Sequence, residues 1–365
     1  MKRRQFLTAA TAGAAGTLAA APLAAPAIAQ SQPNIRWRLT SSFPKSLETI
    51  YGGAEMFSER VSKLTEGKFN IRVFAPGDIV PAFSALDAVQ QGTVELCHTA
   101  TYYFVGKDLT FGFGTALPFG MTTRQQNAWM YHGGGNDLLN EFNKEYGVIA
   151  FPAGNTGAQM GGWFRNEVNT LNDLKGLKMR IPGLGGQVMA RLGAVPQALP
   201  GGDIYPALER GAIDATEWVG PYDDEKLGFY KIAKNYYYPG WWEPCSQYHV
   251  MINLQKWESL PKLYQEAVIS AAREANFDMV AEYDAKNPAA LVRLKAAGVK
   301  FHKYSNEIMQ GAFKASMDLY SEEAAKNAKF RRVYENWTKF RKDQAAWSSL
   351  TELAIEQFFA ENIKG

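Results

Sequence analysis

Two hydrophobic periods alternate along this chain. Ile35, Trp37 and Leu39 are separated by Arg36, Arg38 and Thr40, a period of two that predicts a half-buried strand. Ile50, Ala54, Phe57, Val61 and Leu64 then recur at helical spacing, and Gly67 supplies a stop. Phe69, Ile71 and Val73 return to period two before Pro76-Gly77. Strand, helix, strand is the opening of an α/β lobe. A short helix around 82–91 leads through Gly92 to a strand at 94–100. Farther on, the pattern predicts a strand at 148–151, a turn at 154–157 and a strand at 159–164. A helix after Asn169 precedes a strand at 177–181 carrying Arg180, and a helix runs from about 186 to 192. Asp203 caps the next helix, and a strand at 213–218 enters a polar loop at 221–226. A strand near 249–253 follows the aromatic run 236–242.

From about Lys256 the period is helical, with one strand near 299–302. Tyr264, Ala267, Val268 and Ala271 mark an apolar helix face. The helical tract from Glu307 carries Trp337, Phe340, Trp347, Leu350, Leu353 and Phe358. That exceeds what one small helix needs to dock, and predicts wrapping around the lobes or burial against another subunit. One internal echo hints at two similar lobes. Residues 88–95, AVQQGTVE, parallel 207–214, ALERGAID: a helix end, a glycine cap, then a strand with an acidic residue. Tyr102-Tyr103 follow the first copy and Trp218 the second.

The N-terminal stretch changes how charge is read. Met1-Lys2-Arg3-Arg4-Gln5-Phe6-Leu7, an Ala-, Thr- and Gly-rich run, and Ala27-Ile28-Ala29 read as a secretory leader over residues 1–29. The Arg3-Arg4 pair before Phe6-Leu7 has the form of a twin-arginine signal. Pro22, Pro26 and the alanine-rich core make it a poor membrane span. Of the 39 Lys and Arg, three lie in this leader, so the remaining 36 balance the 36 Asp and Glu. The basic excess is therefore no sign of nucleic-acid binding. The expected product is an exported protein long enough for two lobes with their own cores. Cys97 and Cys245 leave disulfide formation open, and four scattered histidines give zinc little to build on.

Candidate chemistry gathers in residues 155–243, where Asn155, Gln159, Arg180, Glu217, Trp218 and Glu243 stand among aromatics and glycines. An arginine fork can clamp a carboxylate with two parallel hydrogen bonds. Two glutamates and a glutamine offer oxygen alone, which suits a hard cation. One guanidinium, two carboxylates and an anionic ligand sum to −2, so a closing cavity of this makeup needs protonation or a cation. Taken singly, each residue has a plainer reading: Arg180 as a surface ion pair, Glu217 as an edge acid, Gln159 as an exposed strand residue. Catalytic motifs fare worse. Gly183-Leu184-Gly185-Gly186 lacks the third glycine of a dinucleotide fingerprint. Walker A, H-E-x-x-H and G-x-S-x-G patterns do not occur. Asp223-Asp224-Glu225 reads as a solvated loop. Glu217 and Glu243 as a paired acid and base form the main enzymatic alternative.

Four stretches carry a family resemblance: WRLTSSFPK at 37–45, GNTGAQMGGW at 154–163, GLKMR at 176–180 and DATEWVGP at 214–221. Together with Trp241-Trp242-Glu243 they resemble periplasmic receptors of TRAP transporters of the DctP type, over essentially the whole chain after the leader. The likeness is strongest to the subgroup that binds 2-oxo acids such as pyruvate, or lactate, with a cation. The resemblance implies an α/β fold, a two-lobe periplasmic binding protein with a hinge and long C-terminal helices. Residues 30–154 would form mainly lobe 1, 155–253 mainly lobe 2, and 254–365 a helical region across both. It implies that Arg180 grips the substrate carboxylate, with Asn155, Gln159 and Tyr102 as further ligand contacts. Gln159, Glu217, the main-chain oxygen of Trp218 and Glu243 would hold the cation, sodium or calcium. The implied partners are a small carboxylate and TRAP membrane permease subunits, with no nucleic acid and no catalysis. A homodimer exchanging its C-terminal helix is a further implication. A 2-hydroxy acid with calcium is the alternative cargo.

Overall fold

The computed structural model describes residues 32–363, so the predicted leader lies outside the described residues. The alternation at the start of the chain forms β1 (Ile35–Ser41), with Trp37 and Leu39 buried and Arg36 and Arg38 exposed. The helix Glu48–Leu64 buries Ile50, Ala54, Phe57 and Val61 along one stripe. At its end Gly67, with φ of 75°, donates to the Ser62 carbonyl at 2.8 Å and turns the chain into β2 (Phe69–Phe74).

The first sheet adds β3 (Leu96–Thr99), β4 (Val148–Asn155) and β10 (Gln247–Asn253), in the order β2-β1-β3-β10-β4. β1 runs parallel to β2 and β3, whereas β10 is antiparallel to β3 and β4. The second sheet holds β5 (Trp163–Phe164), β6 (Lys178–Arg180), β7 (Val195–Gln197), β8 (Ala215–Thr216), β9 (Asn235–Tyr238) and β11 (Lys300–Lys303). Its order is β11-β9-β5-β8-β6-β7. β6 is parallel to β7 and β8, and β5 is antiparallel to β8 and β9.

Each sheet anchors one lobe, and up to residue 296 three segments carry the chain between them. Residues 156–162 lead from β4 to β5, and residues 239–246 return from β9 to β10. The 35-residue helix Lys262–Ala296 makes the third passage. Its Tyr264, Val268, Ala271 and Ala275 pack in the core of the first sheet, while Met279, Tyr283 and Leu294 pack with Trp163, Tyr236 and Ile204. The second of these clusters joins the lobes, because Phe43, Leu47 and Ile50 of the first lobe meet Trp218 and Phe229 of the second.

The internal echo holds in three dimensions. Gly92 and Gly211 have φ of 74° and 72° after the helices Ala85–Gln90 and Gly201–Glu209. In both copies the same pair of turns follows: Thr93 N–H to Ala88 O and Ala212 N–H to Ala207 O, each 2.9 Å. The C-terminal tract divides into helices Asn306–Lys326, Ala328–Leu350 and Glu352–Asn362. Phe330, Val333 and Trp337 wrap into a core with Phe113, Trp129 and Tyr320. Beyond them Trp347, Leu350 and Phe358 are 56%, 79% and 57% exposed. Among the described residues no helix is long and apolar enough to cross a membrane.

Three expectations need correction, the first being that Asp203 lies in the first turn of the helix Gly201–Glu209, whose N-cap is Pro200, and does not cap it. Residues 221–226 are not a solvated loop: Pro221 opens the helix Pro221–Leu227, in which Asp223 and Asp224 are buried. Proline at the first helical position loses no hydrogen bond, so a turn signal here starts a helix. The strand expected at 159–164 forms only at Trp163–Phe164, which leaves Gln159 in the crossing loop. Cys97 and Cys245 are both buried free thiols.

Candidate functional site

The crossing segments and the carboxyl ends of β6 and β8 meet between the lobes. In an open α/β sheet, ligands bind at the carboxyl ends of parallel strands, where loops diverge. Arg180 ends β6 and pairs in register with Thr216, which places Glu217 and Trp218 beside it. Asn155 ends β4, Gln159 lies in the first crossing, Glu243 in the second, and Tyr102 in the turn after β3. All are buried: Arg180 and Glu217 are 1% exposed, Glu243 4%, Tyr102 5%, Gln159 and Trp218 6%, and Asn155 0%.

Glycines make this closeness possible. A Cβ on Gly240 would stand 2.6 Å from the Gln159 carbonyl, so the two crossing loops touch only because that position lacks a side chain. Gly240 N–H donates to that carbonyl at 3.1 Å. Gly183, with φ of 64°, admits the Tyr102 ring, whose Cγ lies 3.0 Å from where its Cβ would be. The glycine-rich run after β6 thus serves packing at the site.

The polar atoms divide into those with partners and those without. Arg180 Nε donates to the Leu199 carbonyl at 3.0 Å, and Nη1 donates to the Glu217 carbonyl at 3.1 Å and to Glu217 Oε1. Its guanidinium carbon lies 5.1 Å from the centroid of the Trp218 ring. Gln159 Nε2 donates to Thr156 Oγ1 at 3.1 Å, and Asn155 Oδ1 accepts from Gly157 N–H at 2.9 Å. Left buried without a hydrogen-bond partner are Arg180 Nη2, Asn155 Nδ2, Gln159 Oε1, Glu217 Oε2 and Glu243 Oε2. Buried polar atoms are nearly always satisfied, so such a concentration marks a place built for something else.

Burial raises the Glu217 carboxyl well above its ordinary range; Arg180 opposes this and Glu243 adds to it. Burial likewise pushes Glu243 up to about 7, against Ser246, Arg180, Tyr102 and Gln159, which favour its charged form. Burial would pull the Arg180 guanidinium down, but Glu217, Tyr103, Tyr102 and Glu243 together outweigh it and hold the value up. One guanidinium therefore faces two carboxyls that cannot both ionise comfortably without a further positive charge. Three unpaired oxygens, from Gln159, Glu217 and Glu243, suit a hard cation that accepts carboxylate and amide oxygen. Arg180 Nη2 is a free donor for an anion in the same place.

Sequence reasoning passed over three neighbours. Tyr103 is half-buried against Tyr102, with ring centroids 5.0 Å apart, and the Arg180 guanidinium acts on its hydroxyl. Ser246 has a buried hydroxyl that stands beside Glu243 and favours its charged form. Tyr248 packs on Phe43 at 4.6 Å and feels the Glu243 charge. The tandem tyrosines and the proximity of Ser246 to Glu243 in sequence were the available signals.

Comparison with known proteins follows the same lines. Residues 40–327 match the model of bacterial extracellular solute-binding protein, family 7 (DctP). A monocarboxylate 2-oxoacid-binding periplasmic protein of Nostoc sp. is 54% identical over 98% of this chain and 99% of its own. A TRAP transporter solute-binding protein from Bordetella bronchiseptica, a mixed-occupancy dimer with copurified calcium and picolinate, is 47% identical. It superposes with a TM-score of 0.89 over 91% of this chain and 98% of its own. A TRAP periplasmic solute-binding protein from Pseudoalteromonas atlantica, with bound sodium and pyruvate, is 37% identical. Its TM-score is 0.86 over 91% of this chain and 100% of its own.

Proposed function

This chain belongs to bacterial extracellular solute-binding protein family 7, and we propose that it captures a short 2-oxo monocarboxylate, pyruvate-like, together with a cation. It is a periplasmic receptor of a TRAP transporter, and the family consists of receptors that deliver ligands to membrane permease subunits, not of enzymes. The Glu217–Glu243 pair is therefore not glycosidase machinery. Relatives with bound sodium or calcium support a cation as part of the ligand site.

One observation carries the reading: a buried arginine with a free Nη2 amid three buried, unpartnered oxygens. Arg180 clamps the ligand carboxylate through Nη2, while its Nη1 stays on Glu217 and its Nε on Leu199. Gln159, Glu217, Glu243 and the main-chain oxygen of Trp218 hold the cation. When bound, the cation neutralises the two carboxylates and polarises the ligand's keto or hydroxyl oxygen. Tyr102, whose hydroxyl proton is held firmly because burial and Glu243 raise its pKa, donates to the ligand. Asn155 Nδ2 supplies a second neutral donor. Trp218, Tyr102 and Phe43 belong to one buried aromatic cluster beside these polar groups.

We also read residues 1–29 as a twin-arginine leader and the exposed Trp347, Leu350 and Phe358 as the face of a homodimer. Leu350→Asp with Phe358→Asp should give a monomer by light scattering that still binds ligand. Cargo is tested by melting-temperature shifts with pyruvate, 2-oxobutanoate, lactate and succinate at fixed cation. The expected order is the two 2-oxo acids, then lactate, then no shift with the dicarboxylate. A larger shift with lactate than with pyruvate would reassign the cargo to 2-hydroxy acids.

A further inference from the structure

We propose that Glu48 is a latch that holds the two lobes closed over the ligand, acting through the helix Pro221–Leu227 and touching neither ligand nor cation. The inference rests on the receptor reading above, since a latch matters only where closure traps a ligand.

Glu48 lies in the first turn of the helix Glu48–Leu64, in the first lobe. Its side chain reaches the second lobe, where Oε1 accepts from the Tyr222 hydroxyl and Oε2 from the Lys226 ammonium. Lys286, on the helix that passes between the lobes, stands 3.9 Å from Oε1. Both ammonium groups also sit over the Tyr222 ring, at 4.1 Å for Lys226 and 4.7 Å for Lys286. One carboxylate therefore holds a phenol and an ammonium of the second lobe across the cleft, while Lys286, itself bound to Glu282 on its own helix, stands over the same ring. Partial burial works against the charged carboxyl, but hydrogen bonds from Lys226 and Tyr222 bring it down to about 2. Glu48 is thus charged across the pH range in which a periplasmic receptor works.

The receiving helix is tied to the ligand site on its other side. Tyr283 donates to Asp223 at 2.7 Å and the Trp218 indole donates to the same oxygen at 3.3 Å. Asp224 accepts from Val219 N–H, from the Trp163 indole and from the Tyr236 hydroxyl. Glu225 forks onto Arg293, which fixes the helix to the long interlobe helix. Tyr222 and Lys226 thus sit on a rigid element whose inner side sets Trp218 and Val219.

A single exposed ion pair contributes little to folding. This one is made between lobes, so it is lost when the lobes part, and its whole contribution falls on the closed state. Any interaction present in the closed state alone slows ligand escape by shifting that equilibrium.

The test is the release of pyruvate at fixed cation, followed by tryptophan fluorescence in competition stopped flow. Wild type, Glu48→Gln, Lys226→Gln and the double variant are compared. Glu48→Gln should release ligand roughly three- to tenfold faster, with the ligand-free melting temperature within about 2 °C of wild type. The double variant should release no faster than the faster single variant. Choline chloride, raised at constant cation, should move wild type toward Glu48→Gln and leave the variant unmoved. A Glu48→Gln release rate within twofold of wild type, or fully additive single effects, would overturn the latch. Failure of wild type itself to bind any 2-oxo acid would overturn the receptor reading, an outcome distinct from the other two.

Discussion

Two pairs of buried acids, Asp223 with Asp224 and Glu217 with Glu243, differ in what surrounds their oxygens. Asp223 and Asp224 take hydrogen bonds from two indoles, two phenols and a backbone N–H; of their oxygens only Asp223 Oδ1 lacks a partner. Glu217 and Glu243 each keep an unpartnered oxygen, and their shared counter-charge is one arginine with a free nitrogen of its own. Burial raises all four carboxyls. Perturbed acidity therefore does not tell a binding acid from a structural one. What sets the glutamates apart is that their unpartnered oxygens are accompanied by an unpartnered amide oxygen of Gln159 and a free nitrogen of the arginine they share.

The largest effect expected along this contrast is from Arg180→Ala. It strips both glutamates of their counter-charge and removes the carboxylate clamp, at about 3–5 kcal/mol, or roughly two to three and a half orders of magnitude in ligand affinity. Calorimetry that returns wild-type affinity would break the assignment of the clamp. Next comes Glu217→Gln, which keeps shape but removes one charge from the cation site. Affinity should fall by roughly 10- to 100-fold and its response to added cation should flatten. An unaltered response to chelator would move the cation elsewhere.

Asp224→Asn sharpens the contrast from the other side. It leaves at least one of three buried donors facing a donor, at a cost of about 1–3 kcal/mol. The melting temperature should fall by several degrees while the cation dependence of binding stays intact. If it abolished that dependence, the two acid pairs would be one functional unit.

The smallest effect is with pH. Glu243 titrates near 7 because it is buried, and a proton there competes with the cation. The raised value means that the cation-free protein holds a proton below about 7, which cation uptake must expel. Cation affinity should thus weaken as pH falls below 7, by up to about tenfold per unit. Titration in buffers of different ionisation enthalpy would reveal the released proton near pH 6. The Asp pair should contribute no proton to that count.

Much of the frame was legible in the sequence. Period two found β1 and β2, helical spacing found the stripe of Glu48–Leu64, and the repeated glycine caps at 92 and 211 found matching turns that lead to Tyr102 and Trp218. What escaped did so for physical reasons. Asp223-Asp224 looked solvated because Trp163, Tyr236 and Tyr283, which satisfy them together with nearby Trp218, come from distant strands and the interlobe helix. Gln159 looked like a strand residue because the glycine contact that bends its loop, at Gly240, lies far along the chain. No element was expected across 105–147, where the helix Thr123–His132 buries Gln126, whose amide donates to the Phe113 carbonyl at 3.2 Å. A buried polar side chain breaks the apolar stripe by which helices are recognised.

The central claim is that one buried arginine and a set of unpartnered oxygens together hold an acid and a cation. Isothermal titration of the cation-stripped protein with pyruvate, in sodium-free buffer with chelator and then with sodium or calcium restored, tests it most directly. The account predicts no measurable binding in the stripped state and saturable binding of one pyruvate per chain once the right cation is present. Equal affinity with and without cation would contradict it.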